Sequence, residues 1–235
     1  MNIEIWSDVF CPFCYIGKRN FETALAQLPW KDEVNVQWRS FQLMPHAQYV
    51  PGRDAHEALA QHLKVSYEEA KAMNARVSDM AAAAGIRFNL DSMIWCNSFD
   101  AHRLIQYAGT LQKGAAMEEV LFRSVFTDGK NISDPAVLAT LAAEVGLPAN
   151  TVQELLDSAL FAEEVRQDIA IAQTIGLRGV PSFLAEKQIL FSGALPVADF
   201  QRALEQIRTQ LGNSNASEEG YTAGGACSTD GCDCH

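Results

Sequence analysis

Cys11-Pro12-Phe13-Cys14 holds two thiols two residues apart. They stand where an alternating apolar segment, Asn2–Ser7, gives way to a stretch of helical character, Tyr15–Leu28. A Cys-x-x-Cys at a strand-to-helix junction is more often a redox motif than a metal site. The first turn of a helix offers unpaired N–H groups and the positive end of a dipole. Cys11, on this reading the more exposed sulfur, is therefore the expected nucleophile, favoured there as thiolate. Cys14, one turn further in, is placed to resolve a mixed disulfide. Half of a zinc site is the competing use. It needs a second ligand pair, and the other close cysteine spacings lie at the far C-terminus.

The surrounding pattern supplies a frame for the thiols. Val34–Phe41 alternates apolar and polar residues as a second strand, and Pro29 ends the intervening helix. A β-α-β start implies neighbouring parallel strands. Residues 54–175 are rich in Ala, Glu and Leu and show no strand pattern. Helices are expected over Tyr67–Ala84, Asn97–Leu111, Met117–Phe126, Pro135–Val145, Thr151–Ser158 and Glu163–Ile175. Ser133 or Asp134 caps the fourth, and Gly146 stops it. Short strands return at Ser182–Ala185 and Ile189–Phe191, joined by Glu186-Lys187-Gln188. A last helix, Val197–Leu211, places Phe200, Leu204, Ile207 and Leu211 on one face. The expected fold class is α/β, a two-part sheet unit (1–53 and 166–211) with an inserted all-helical domain (54–165). The Gly-, Ser- and Asn-rich composition of 212–235 predicts a flexible tail.

The chain has 235 residues, 48% of them hydrophobic, enough for a sizeable core. Its net charge of −11 argues against nucleic acid or an anionic membrane as the main partner. No apolar run approaches bilayer-spanning length. A strand at the very start leaves no room for a signal peptide, so the expected location is the cytosol. Cysteines there are usually reduced, catalytic or metal-bound.

This order of elements resembles the thioredoxin fold of the DsbA-like family. Asp8-Val-Phe-Cys11-Pro12-Phe13-Cys14 looks like its redox loop, and Asn97-Ser-Phe-Asp-Ala-His-Arg-Leu104 looks like a helical stretch of its insertion. Gly179-Val180-Pro181-Ser182-Phe183 is similar to the loop carrying a cis-proline opposite the cysteines. The FrnE-like subfamily shares these features and a tail Cys-x4-Cys. The resemblance implies a cytosolic protein disulfide oxidoreductase or isomerase acting on protein or peptide thiols and disulfides. It would need no metal or organic cofactor, with glutathione as a redox partner. It also implies substrate contacts at Val180, Pro12 and Phe13. A cis Val180-Pro181 bond would turn the Val180 backbone toward the dithiol, where an extended substrate pairs with it. Strongly oxidising members carry a His where this chain has Phe13, which implies a less oxidising couple here. Kappa-class glutathione transferases and 2-hydroxychromene-2-carboxylate isomerases resemble the same architecture, but place Ser where this chain has its Cys pair.

Several residues stay open on sequence alone. Asp8 suits either a proton relay from Cys14 or a turn cap. Glu4 shares a strand face with Trp6, and burial and exposure fit it equally. Trp6 and Phe10 read as core and rim. His102 and Arg103 read as exposed helix residues by default, or as groove residues for glutathione carboxylates. Cys96 reads as a buried structural thiol. In the tail, Cys227 and Cys232 read as a second redox pair held at high effective concentration. Cys227, Cys232, Cys234 and His235 also form a soft-metal ligand set, and incidental cysteines are the third reading.

Overall fold

The computed structural model describes residues 1–219. Strand β1 (Asn2–Ser7) runs parallel to β2 (Asn35–Ser40) and antiparallel to β3 (Ser182–Ala185). β3 pairs antiparallel with β4 (Gln188–Ser192), so the sheet order is β2-β1-β3-β4. Helix α1 (Pro12–Ala26) makes the crossover from β1 to β2. The register sets Ser7 beside Ser40 and Trp6 beside Ser182. Three loops therefore converge at the C-terminal end of β1: the turn into α1, the exit from β2 and the entry to β3.

Alternation along β1 assigns its two faces. Ile3 and Ile5 are buried in the main core with Phe21, Phe183 and Phe200, beneath α1 and α9 (Val197–Glu219). Trp6 points the other way, packs on Ala172 and Leu184, and donates its indole N–H to the Asp168 carbonyl at 2.9 Å. Glu4 shares that face and is neither solvated nor lost in the core. Arg39 bridges it to Asp168, with Nε donating to Glu4 at 2.8 Å and Nη1 to Asp168 at 3.0 Å.

Between β2 and β3 the chain is helical: α2 (Ala55–Leu63), α3 (Tyr67–Ala83), α4 (Phe99–Thr110), α5 (Gly114–Phe126), α6 (Pro135–Glu144), α7 (Ala149–Asp157) and α8 (Ala162–Thr174). Asp54 caps helix α2 by accepting the Glu57 N–H at 2.8 Å. Ser66 and Glu69 form a full capping box at α3, and Asp134 caps α6 ahead of Pro135. Tyr15 of α1 stacks on Phe122 of α5 at 4.9 Å and donates its hydroxyl to Glu119 at 2.7 Å. The buried Lys18 donates to the same carboxylate at 3.0 Å. These contacts pin the helices to the crossover helix, and one continuous core runs through both.

Several expected boundaries move. Helix α1 begins at Pro12 rather than Tyr15, because proline at the first helical position gives up an N–H that no intrahelical bond would use. Gln188 belongs to β4, which leaves a two-residue hairpin turn of Glu186 and Lys187, at φ of 45° and 65°. Paired positive φ matches the twist of the flanking strands. Helix α9 continues beyond Leu211 to Glu219. Among the described residues no helix is long and apolar enough to cross a membrane.

Candidate active site

Cys11 is the N-cap of α1, in extended backbone geometry (φ −92°, ψ 110°). Its N–H donates to the Asp8 carbonyl at 2.9 Å, and its own carbonyl accepts the Cys14 N–H at 3.0 Å. Both thiols are free. Cys11 is the more accessible of the two sulfurs, as expected, though both are buried: it is 4% accessible and Cys14 is 1%. The entry to β3 covers it, and the Cys11 thiol donates to the Val180 carbonyl at 3.4 Å. The Val180–Pro181 peptide is cis.

That covering loop is held from several sides. The Pro181 carbonyl accepts the Gly193 N–H at 2.8 Å, and the Ser182 hydroxyl donates to the Gly179 carbonyl at 2.8 Å. Across from it lies Gly17 of α1, where a Cβ would stand 3.0 Å from Pro181 Cγ. Glycine lets the helix and the proline ring approach. Pro12 is half-buried and Phe13, at 38% accessible, is the exposed side chain of the motif.

The two cysteines sit in different surroundings. Burial is the main force that pushes the Cys14 thiol well above its ordinary pKa. The adjacent Cys11 and the charge of Glu118 add to the rise, and the Asp8 backbone opposes it. Cys14 is thus held as a thiol.

Asp8 is fully buried and acts as a hub. Its Oδ1 accepts the Phe10 N–H at 3.2 Å and lies 3.3 Å from His102 Nε2. Its Oδ2 accepts the Leu43 N–H at 2.7 Å. This is a cap for two loops at once, tying the redox turn to the chain leaving β2.

His102 and Arg103 are buried rather than exposed on their helix. Arg103 Nε donates to the Leu160 carbonyl at 2.8 Å, Nη2 to the carbonyls of Leu155 and Ser158, and Nη1 to Asp100. It closes the C-terminal end of α7, with four of its five N–H donors used in these bonds. Cys96 is also buried, as expected.

Glu118 is the site residue that no sequence signal marks. It lies in the apolar middle of α5 and accepts the Ser7 hydroxyl at 3.4 Å. Burial pushes its carboxyl up to about 8, against the pull of Lys18. A carboxyl whose pKa is raised by folding keeps a proton that the unfolded chain releases. Stability from this group is therefore present below about pH 4.5 and is lost as pH rises toward 8. Glu118→Gln should remove that slope. The stability difference between variant and parent, read from urea unfolding at pH 5, 6, 7 and 8, is expected to grow by roughly 3 kcal/mol across the series. Parallel curves would show that Glu118 ionises freely in the folded protein.

Cys227, Cys232, Cys234 and His235 lie outside the described residues. Among the described residues no three His, Cys, Asp or Glu side chains converge as a metal site.

A dithiol at the first turn of the crossover helix, faced by a cis-proline loop beside the central strand, is the arrangement of a thioredoxin-type protein. The chain belongs to the DSBA-like thioredoxin domain family, whose model matches residues 2–205. A probable DsbA oxidoreductase from Streptomyces coelicolor is 35% identical, with a TM-score of 0.81 over 88% of this chain and 89% of that one. The uncharacterized protein YwbO of Bacillus subtilis is 26% identical over 87% of this chain and 96% of its own length. The cytosolic disulfide reductase DsbM of Pseudomonas aeruginosa, solved with glutathione, shares the fold at 20% identity. Its TM-score is 0.61, over 88% of this chain and 100% of that one.

Proposed function

We propose that this chain is a cytosolic thiol–disulfide oxidoreductase or isomerase acting on protein and peptide disulfides through Cys11 and Cys14. The observation that carries the reading is the Cys11 thiol at the start of α1, 3.4 Å from the Val180 carbonyl of the cis-proline loop. As a reductase, the Cys11 thiolate attacks one sulfur of the substrate disulfide. A Cys11–substrate disulfide forms and the other substrate sulfur leaves as thiolate. Cys14 loses its proton and attacks Cys11 Sγ, which releases the second substrate thiolate and leaves a Cys11–Cys14 disulfide. Two electrons pass to the substrate, and two thiols of a small donor such as glutathione return them. Ionised Cys11 no longer donates to the Val180 carbonyl, so that carbonyl is free to accept a substrate N–H, as in strand addition. Pro181 shapes that loop, and Pro12 and Phe13 form the adjoining contact surface.

The same reading places the chain in the FrnE-like subfamily, with 1–53 and 166–211 as the thioredoxin-like unit and 54–165 as its helical insertion. Cys227 and Cys232 then serve as a second redox pair. The paired free thiols favour this chemistry over glutathione-dependent isomerisation or transfer, which has no use for a resolving thiol.

Cys14→Ser tests the reading. Incubated with insulin or a disulfide peptide, the variant is expected to accumulate a one-to-one adduct at Cys11. The adduct should be visible by mass and released by dithiothreitol, because the resolving thiol is gone. If no adduct forms while the parent protein also fails to exchange disulfides, the oxidoreductase reading is wrong.

A further inference from the structure

A cavity of about 420 Å³ opens between the loop after β2, α2 and Trp95. Its walls include Leu43, Pro45, His46 and Arg53 from the loop after β2, His62 from α2, and Trp95. One hydrogen bond ties its wall to the redox turn, and a second fixes the loop after β2. Asp8, whose carbonyl holds the Cys11 N–H, takes the Leu43 N–H on its carboxylate at 2.7 Å. Asn97 donates to the Pro45 carbonyl at 2.8 Å. Phe13 of the redox motif and Leu43 of the cavity wall are both exposed, 38% and 40% accessible.

The charge of this cavity runs against that of the molecule. The chain carries −11 overall, yet no carboxylate lines the cavity, and Arg53, His46 and His62 do. Arg53 gives one N–H to the Gln61 amide oxygen at 2.6 Å and makes no ion pair among the described residues. The neighbouring acids are occupied elsewhere: Asp54 caps α2, and Glu57 accepts the Gln61 amide at 3.4 Å. Trp95 completes the wall, its ring 5.6 Å from that of His62, and its indole N–H has no partner. An unpaired guanidinium keeps N–H donors suited to a planar carboxylate.

We propose that this cavity is a substrate subsite for a carboxylate carried a few residues from the reacting cysteine. The proposal rests on the oxidoreductase reading and narrows its substrate class to acidic thiols and disulfides. The carboxylate could belong to an acidic side chain of a protein or to a small acidic thiol of the glutathione type.

Steady-state reduction by the full-length protein tests this. One pair of disulfide peptides differs only in Glu against Gln beside the cysteine. A second pair is oxidised glutathione against the neutral hydroxyethyl disulfide. The acidic member is expected to be favoured about tenfold in kcat/KM through KM. Arg53→Ala should bring the ratio near one, Arg53→Lys should keep most of it, and Arg202→Ala, an exposed arginine on α9, should leave it unchanged. Loss confined to the peptide pair assigns the subsite to protein chains, and loss confined to the glutathione pair assigns it to small thiols. Equal kcat/KM within both pairs, or a preference that survives Arg53→Ala, overturns the proposal. Failure of the underlying reading would look different, because none of the four disulfides would be turned over.

Discussion

Cys11→Ser is expected to slow disulfide reduction by three orders of magnitude or more, a loss of about 4 kcal/mol of transition-state stabilisation. The reason is chemical rather than structural. Serine is close to cysteine in size, and its hydroxyl can still donate to the Val180 carbonyl that the thiol meets at 3.4 Å. The fold therefore has no cause to change, and the melting temperature should stay within a few degrees of the parent value. Yet the first step is attack of a thiolate on sulfur, and a hydroxyl is not ionised at neutral pH. Insulin reduction and refolding of reduced ribonuclease would be followed together with thermal unfolding. Exchange activity near the parent level in a folded Cys11→Ser protein would remove the dithiol from the mechanism.

Arg103→Ala is expected to have the largest effect on stability, about 3–5 kcal/mol. The guanidinium is buried and donates to three carbonyls around the end of α7, Leu155, Ser158 and Leu160, and to Asp100. Truncation strands those acceptors away from water and leaves a hole where a long side chain stood. At roughly 2–4 °C per kcal/mol for a chain of this size, the melting temperature should fall by about 10 °C. The residue touches neither cysteine loop, so turnover per folded molecule at low temperature should be unchanged. A folded variant with parental stability would mean that the end of α7 is satisfied by water. A selective loss of glutathione affinity would instead restore the groove role that its burial argues against.

Legibility followed the range of the interaction involved. Cys11-Pro12-Phe13-Cys14 was readable because strand, turn and helix N-terminus are adjacent in sequence, and proline punctuates the junction. Val180-Pro181 was readable through family resemblance. Helices α3 and α6 announced themselves by local caps at Ser66 and Asp134. Helix α2 was not among the expected helices, though Asp54 and Glu57 held its start signal. His102 and Arg103 were misjudged because polar residues on a helix look solvent-facing until the element that buries them is known. Glu118 carried no signal, since its importance comes from packing in α5 beside the end of β1.

By itself, then, the sequence determined the Cys11 and Cys14 pair at a strand-to-helix junction, the order of the strands and the fold class. Each of these depends on neighbours a few residues away or on a family pattern that spans the chain. Tertiary structure made the Cys11–Val180 contact that the resemblance implied, and alone decided that Asp8 ties the redox turn to the loop after β2 and that Glu118 reaches Ser7. It also decided that an unpaired Arg53 lines a cavity. Those contacts join residues 35 to 169 positions apart, apart from Arg53 itself. Burial and the loss of water, which set the protonation of Cys14 and Glu118, exist only once such distant segments have come together.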